Sequence, residues 1–144
     1  MTQKMNCLVI EDSLFDQKMI KRAVAGARIS ADLAFADTLD AARHALARNR
    51  YSIILCDNNL PDGNGSDFAQ ELSREPKFRD VAIVIISGWP SPFMWAKARA
   101  AGLQVIDKND QPQTKVLEIF KRKLGQNPVE KSVATAGMKK QFLQ

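Results

Sequence analysis

Ser52-Ile53-Ile54-Leu55-Cys56-Asp57 is the stretch on which the fold turns. Four apolar side chains follow one another without alternation and end on a carboxylate. A strand with one wet face would alternate, so this run predicts a strand over Ser52–Cys56 that is covered on both faces. Moving outward, Asn6–Ile10 (NCLVI) and Val81–Ile86 (VAIVII) repeat the pattern. Leu103–Ile106 (LQVI) and Ala31–Ala36 complete a set of five.

Amphipathic runs fill the gaps. Ser13 caps a helix to Ala25, with Asp16 in its first turn and Gly26 just past its end. Thr38 or Asp37 opens Leu39–Arg48, where Leu39, Ala42 and Leu46 share a face. Ser66–Arg74 follows a Gly-rich turn. Pro90 or Pro92 opens Phe93–Ala101, stopped by Gly102, and Pro112 opens a helix to Leu124 with Lys121–Lys123 near its end. Five βα units in a row predict an α/β fold with right-handed crossovers and helices on both faces. Five are too few for a barrel. The open alternative is a flavodoxin-like (βα)5 doubly wound parallel sheet of strand order 2-1-3-4-5.

The chain's 144 residues amount to one domain. Its 45% hydrophobic and 26% charged residues exclude disordered, collagenous and coiled-coil chains. The net charge of +5 is spread along the chain without a recognition-helix or zinc-finger pattern, so no nucleic-acid partner is expected. No apolar run approaches the roughly 18–20 residues of a membrane span, and Met5–Ile10 is too short for a signal sequence. We therefore expect a cytoplasmic protein without a membrane partner. Cys7 and Cys56 lie within apolar strands and read as buried, reduced thiols. His44, the only histidine, reads as a solvated helix position. Residues 125–144 turn to Gly, Pro, Ser, Thr and Lys and read as a flexible or loosely docked tail. A short docking helix carrying Met138, Phe142 and Leu143 is the alternative.

In an open α/β sheet, ligands bind at the carboxyl ends of the strands. Glu11 and Asp12 follow the first strand, Asp57 the third, Ser87 the fourth, and Asp107 and Lys108 the fifth. Clustered carboxylates repel, and one of them protonates unless a cation intervenes. Mg²⁺ takes oxygen ligands in octahedral geometry and keeps waters for substrate oxygens. Cation, amine and hydroxyl converging on one carboxylate describe a phosphoryl-accepting site.

These residues resemble the receiver domain of bacterial two-component response regulators. The resemblance rests on Glu11-Asp12-Ser13, on Asp57 through Gly65 with Leu60, Pro61 and Gly65 at the family's spacing, on Ser87-Gly88 and on Asp107-Lys108. It covers residues 4–124. It implies that Asp57 is the phosphoacceptor, taking a phosphoryl group from a phosphohistidine on a sensor histidine kinase or a histidine phosphotransfer protein. It implies Mg²⁺ held by Asp12 directly, by Glu11 through water, by Asp57 and by the Asn59 backbone carbonyl. Ser87 and Lys108 would bind phosphoryl oxygens. The protein would catalyse only its own phosphorylation and dephosphorylation. With no effector domain after the receiver, output would pass to a protein partner or a homodimer. The face used would be the fourth helix, fifth strand and fifth helix.

Three features depart from the family pattern. Asn109 stands after Lys108 where Pro is usual, which predicts altered geometry or a strained bond in that loop, since a cis bond before a non-proline costs roughly 3–4 kcal/mol. Val105 and Ile106 stand where the fifth strand usually carries an aromatic. Trp89-Pro90-Ser91-Pro92-Phe93-Met94-Trp95 replaces a small polar loop. Its rings either pack over the fourth helix and fifth strand or form an exposed patch for a partner, and Trp89 is a candidate shield for an acyl phosphate. A phosphohydrolase of haloacid-dehalogenase type is a rival, but it needs a second Asp where Asn59 stands. A receiver that signals without phosphorylation is another.

Overall fold

The computed structural model describes residues 5–125. Five strands form one parallel sheet: β1 (Met5–Ile10), β2 (Ala31–Ala36), β3 (Ile53–Asp57), β6 (Ala82–Ser87) and β7 (Gln104–Asp107). Their order is β2-β1-β3-β6-β7. A two-residue hairpin, β4 (Asn59–Leu60) with β5 (Gly63–Asn64), interrupts the numbering. Without it the order is the expected 2-1-3-4-5, the flavodoxin-like doubly wound α/β arrangement.

The period of two in the strands divides the core. Leu8, Ile10, Ile54, Cys56, Ile83 and Ile85 face one side, packed with Leu39 and Ala42 of α2 (Leu39–Arg48), Phe68, Ala69 and Leu72 of α3 (Gly65–Ser73), and Ala98 of α4 (Pro92–Ala100). Cys7, Val9, Ile53, Leu55, Val84 and Ile86 face the other, with Val24 of α1 (Leu14–Gly26) and Val116, Ile119 and Phe120 of α5 (Pro112–Gly125). Both faces are dry, which is why the strands read as unbroken apolar runs. Cys7 and Cys56 are buried, free thiols, and burial raises the pKa of each.

The helix starts follow the sequence closely. Ser13 Oγ accepts from Asp16 N, Thr38 Oγ1 from Ala41 N, and Ser91 Oγ from Met94 N, with Pro92 in the first turn of α4. The N-cap of α3 is Asn64, so the helix begins at Gly65, one residue before the expected Ser66. Helix α2 has a second cap from a distant loop: the Asp62 carboxylate accepts from Leu39 N at 2.8 Å and Asp40 N at 3.0 Å. These two bonds hold the Asp62 pKa below the usual carboxylate range. Two ends differ from expectation. Gly26 lies within α1, and the left-handed position after that helix is taken by Arg28 (φ 56°). Helix α5 runs through Gly125, and the remainder of the expected tail, residues 126–144, lies outside the described residues.

Gly65 is where the fold approaches the site most tightly. A Cβ there would sit 1.9 Å from the Asp57 carbonyl oxygen and 2.9 Å from Cys56 Sγ. Gly65 N donates to Asn58 O at 2.8 Å, and Asn58 N donates to Ile86 O at 2.9 Å, so β3, the hairpin and β6 are tied together behind Asp57. A side chain at 65 must push the end of β3 aside. We expect Gly65→Ala to cost roughly 3 kcal/mol or more in chemical denaturation, at the upper end for overpacking. Gly26→Ala, with nothing within 4 Å of its Cβ, should instead stabilise by about 0.5–1 kcal/mol.

Candidate phosphoacceptor site

Each predicted site residue sits at or just past a strand end. Glu11 and Asp12 leave β1, Asp57 is the last residue of β3, Ser87 the last of β6, and Lys108 follows β7. Strands β1 and β3 are neighbours in register, with β6 beside β3 and β7 beyond β6. The topology therefore gathers residues nearly a hundred positions apart on one rim.

One oxygen from each of Glu11, Asp12 and Asp57 lies within 4.8 Å of the others. Asp57 and Glu11 are buried, whereas Asp12 is exposed. Lys108 Nζ reaches into the group. It is 3.1 Å from Asp57 Oδ1, 3.0 Å from Asp16 Oδ2 and 3.6 Å from Glu11 Oε1. The ladder partner of Asp57 is Ile86, so Ser87 stands one residue further along the neighbouring strand. Ser87 is 2% exposed, and its Oγ accepts from Trp89 N at 3.2 Å. Asn59, two residues past Asp57, opens the β4–β5 hairpin and is exposed.

Asp16 is a member of the site that sequence reasoning assigned only to a helix turn. It lies in the first turn of α1 and pairs with Lys108 across 92 positions. No local spacing marks it, because its partner is so distant in the sequence. Gln17, beside it, donates through Nε2 to the Glu11 carbonyl at 2.6 Å and fixes the start of α1 to the end of β1.

The electrostatics are those of crowded acids. Burial first, then sharing of its proton with Asp57 and Asp16, pushes the Glu11 carboxyl up to about 9. When Glu11 is ionised, Oε1 is buried with no hydrogen-bond partner among the described residues; the Lys108 ammonium at 3.6 Å is beyond hydrogen-bond reach. Burial alone would raise Asp16, but hydrogen bonds from Glu11 and Lys108 outweigh it and hold Asp16 low. Burial alone would lower Lys108. Its bond to Asp16 and the charges of Asp57 and Glu11 instead push it up to about 12, so it stays charged at neutral pH. A cavity of about 350 Å³ runs from this group down between α1 and α5, walled by Val9, Leu55, Ile86 and Val116. It keeps the site's inner side apolar.

The donor set is hard oxygen throughout and carries one orphaned buried carboxylate oxygen. That fits a small divalent cation such as Mg²⁺ and not a soft metal.

The model of the response regulator receiver domain matches residues 7–120. The chain belongs to that family. No curated protein sequence matches this receiver domain. Solved structures similar to it include the receiver domain of a putative Luxo repressor protein from Vibrio parahaemolyticus (18% identity, TM-score 0.75, covering 91% of this chain and 98% of that one). The chemotaxis response regulator CheY4 of Vibrio cholerae is also similar (21%, 0.65, 82% and 99%), as is the Mn²⁺-bound form of response regulator Rcp1 (19%, 0.69, 84% and 90%). At these identities the likeness shows a shared fold.

Two of this receiver's departures now have a form. Every peptide bond among the described residues is trans, so the loop after β7 reaches α5 without a cis bond, through Gln111 in the left-handed region at φ 47°. Trp89 and Phe93 are 87% and 73% exposed, so the rings do not pack over α4 and β7. They form an open apolar patch, and the Lys97 ammonium lies 5.8 Å from the Phe93 ring centre.

A cation filling the acidic group should stabilise the fold by mass action. At a hundredfold excess over its dissociation constant, Mg²⁺ should add about 2.7 kcal/mol. In thermal melts of a magnesium series, Asp12→Asn should lose most of that gain while its metal-free melting point stays the same or rises.

Proposed function

We propose that this receiver domain accepts a phosphoryl group on Asp57, from a phosphohistidine of a kinase or phosphotransfer protein, and passes the signal to a protein partner. The observation that carries the reading is the Lys108 ammonium, 3.1 Å from the Asp57 carboxylate, inside a group of three acids that no single lysine can neutralise.

In the transfer, an Asp57 carboxylate oxygen forms a bond to phosphorus as the phosphorus–nitrogen bond to imidazole breaks, and the imidazole leaves with the bonding pair. Lys108 binds a phosphoryl oxygen as a point charge, and the Ser87 hydroxyl donates to another. Asp16 holds Lys108 in place. Asp12, Asp57 and the Asn59 carbonyl would hold Mg²⁺, with Glu11 contributing through water, and the ion would offset charge on the phosphoryl oxygens. Rcp1 has been described with Mn²⁺ bound, which supports a divalent ion in this fold. Later attack of water on the acyl phosphate releases inorganic phosphate and restores the carboxylate. Asn59 offers no acid or base two residues past the nucleophile, which disfavours a turnover phosphohydrolase. Two free, buried thiols suit the reducing cytoplasm. Among the described residues, no helix is long and apolar enough to cross a membrane. The proposed output face is α4, β7 and α5, with the exposed Trp89 and Phe93 at its upper edge.

Incubated with Mg²⁺ and a small phosphodonor, the protein should gain the mass of one phosphoryl group. Asp57→Asn should gain none, and Lys108→Met should lose at least about tenfold in rate, the loss of ~1.4 kcal/mol of stabilisation. Turnover of a small phosphate ester by the wild type would favour the hydrolase instead.

Trp89 is 87% exposed, which argues against its ring shielding an acyl phosphate on Asp57. Trp89→Ala should therefore dephosphorylate within about twofold of the wild-type rate, below 0.5 kcal/mol in barrier. A marked acceleration would mean that the ring folds over the site once Asp57 is modified.

A further inference from the structure

The residue after Lys108 makes a contact that the family's usual proline could not. Asn109 Nδ2 donates to the Gly88 carbonyl at 2.7 Å. One step back, Lys108 N donates to the Ser87 carbonyl at 2.9 Å, continuing the β6–β7 ladder past Ser87 and Asp107. Asn109 N is turned back onto Asp107 Oδ1 at 2.8 Å. The backbone ladder thus stops at 109, and a side-chain amide supplies the next rung.

The rung acts on one particular peptide plane. The Gly88 carbonyl and the Trp89 N–H belong to the same rigid unit. At one end it accepts from Asn109, and at the other it donates to Ser87 Oγ at 3.2 Å. Without its partner at 109, this plane keeps only the bond to Ser87 Oγ, and Gly88 has no side chain to restrict its rotation; a Cβ there would meet nothing within 4 Å. Rotation would carry the Trp89 N–H off the Ser87 oxygen. With that N–H in place, one lone pair of Ser87 Oγ is used and its proton remains available to donate.

We propose that Asn109 is a positioning residue for the phosphoryl site: it pins the Gly88–Trp89 peptide, and that peptide orients the Ser87 hydroxyl toward a phosphoryl group on Asp57. The proposal rests on the phosphoacceptor reading above. It also supplies this chain with a link between the loops after β6 and β7, in a domain whose β7 carries Val105 and Ile106 where an aromatic is usual.

The test is titration with beryllofluoride, a phosphoryl mimic, in saturating Mg²⁺, alongside Mg²⁺ affinity and the melting point. Asn109→Ala and the shape-matched Asn109→Leu should each bind beryllofluoride about two- to tenfold more weakly, the span of one net hydrogen bond. Mg²⁺ affinity should be unchanged, since no metal ligand is touched. In a Ser87→Ala background, Asn109→Ala should have no further effect, because the route runs through that hydroxyl. Wild-type beryllofluoride affinity in both variants would overturn the proposal. So would an effect that persists undiminished without Ser87, or an equal loss of Mg²⁺ affinity. A wild-type protein that binds no beryllofluoride would remove the phosphoacceptor reading itself, and this inference with it.

Discussion

One ammonium holds the rim of this sheet together. Lys108 Nζ is within 3.1 Å of Asp57 and Asp16 and within 3.6 Å of Glu11. These acids come from β1, α1 and β3, and the lysine from the far edge beyond β7. With all groups ionised, Glu11, Asp12, Asp16 and Asp57 leave three negative charges uncompensated by Lys108. A divalent cation would leave one. The metal-free state relieves the excess another way, by favouring a proton on buried Glu11. Proton and metal are thus alternative answers to one electrostatic problem.

The problem exists because of the apolar runs. Strands covered on both faces can carry polar side chains only at their ends, so every functional group of β1, β3, β6 and β7 is driven to the rim. Parallel pairing then puts all the carboxyl ends on the same side. Asp57 shares the parity of Ile53 and Leu55, toward α1 and α5, where the neighbouring walls are apolar. A low-dielectric wall on one side and solvent on the other strengthen each ion pair at the boundary relative to water. Packing and chemistry are therefore set by the same residues.

Much of this was legible from the residue pattern, and the misses share a cause. Strands β3, β6 and β7 each lie one residue later than the hydrophobic runs implied, ending on Asp57, Ser87 and Asp107. Apolar patterning stops at the last greasy side chain, but backbone pairing is indifferent to side chains and continues one residue further. That extra residue matters, because it places Asp57 and Ser87 inside the ladder and not in loops. Asp16 read as a helix-dipole residue, since its lysine partner is 92 positions away. Asn109 read only as a missing proline. Trp89 and Phe93 read first as packed over the fourth helix and fifth strand, and they are exposed, because ring burial depends on what lies above a loop, and residue types do not specify that.

The exposure of those rings bears on how a change at Asp57 would leave the site. Strand β7 carries Val105 and Ile106, and neither offers a ring that could relay a change at Ser87. The covalent path from Ser87 runs instead through Gly88 to Trp89, two prolines and the first turn of α4, with Phe93 next to Pro92. Prolines at 90 and 92 fix two of the intervening φ angles, so a rotation at the Gly88–Trp89 peptide has few soft dihedrals to dissipate it before α4. The chain from Ser87 therefore leads outward to exposed rings, and not into the core.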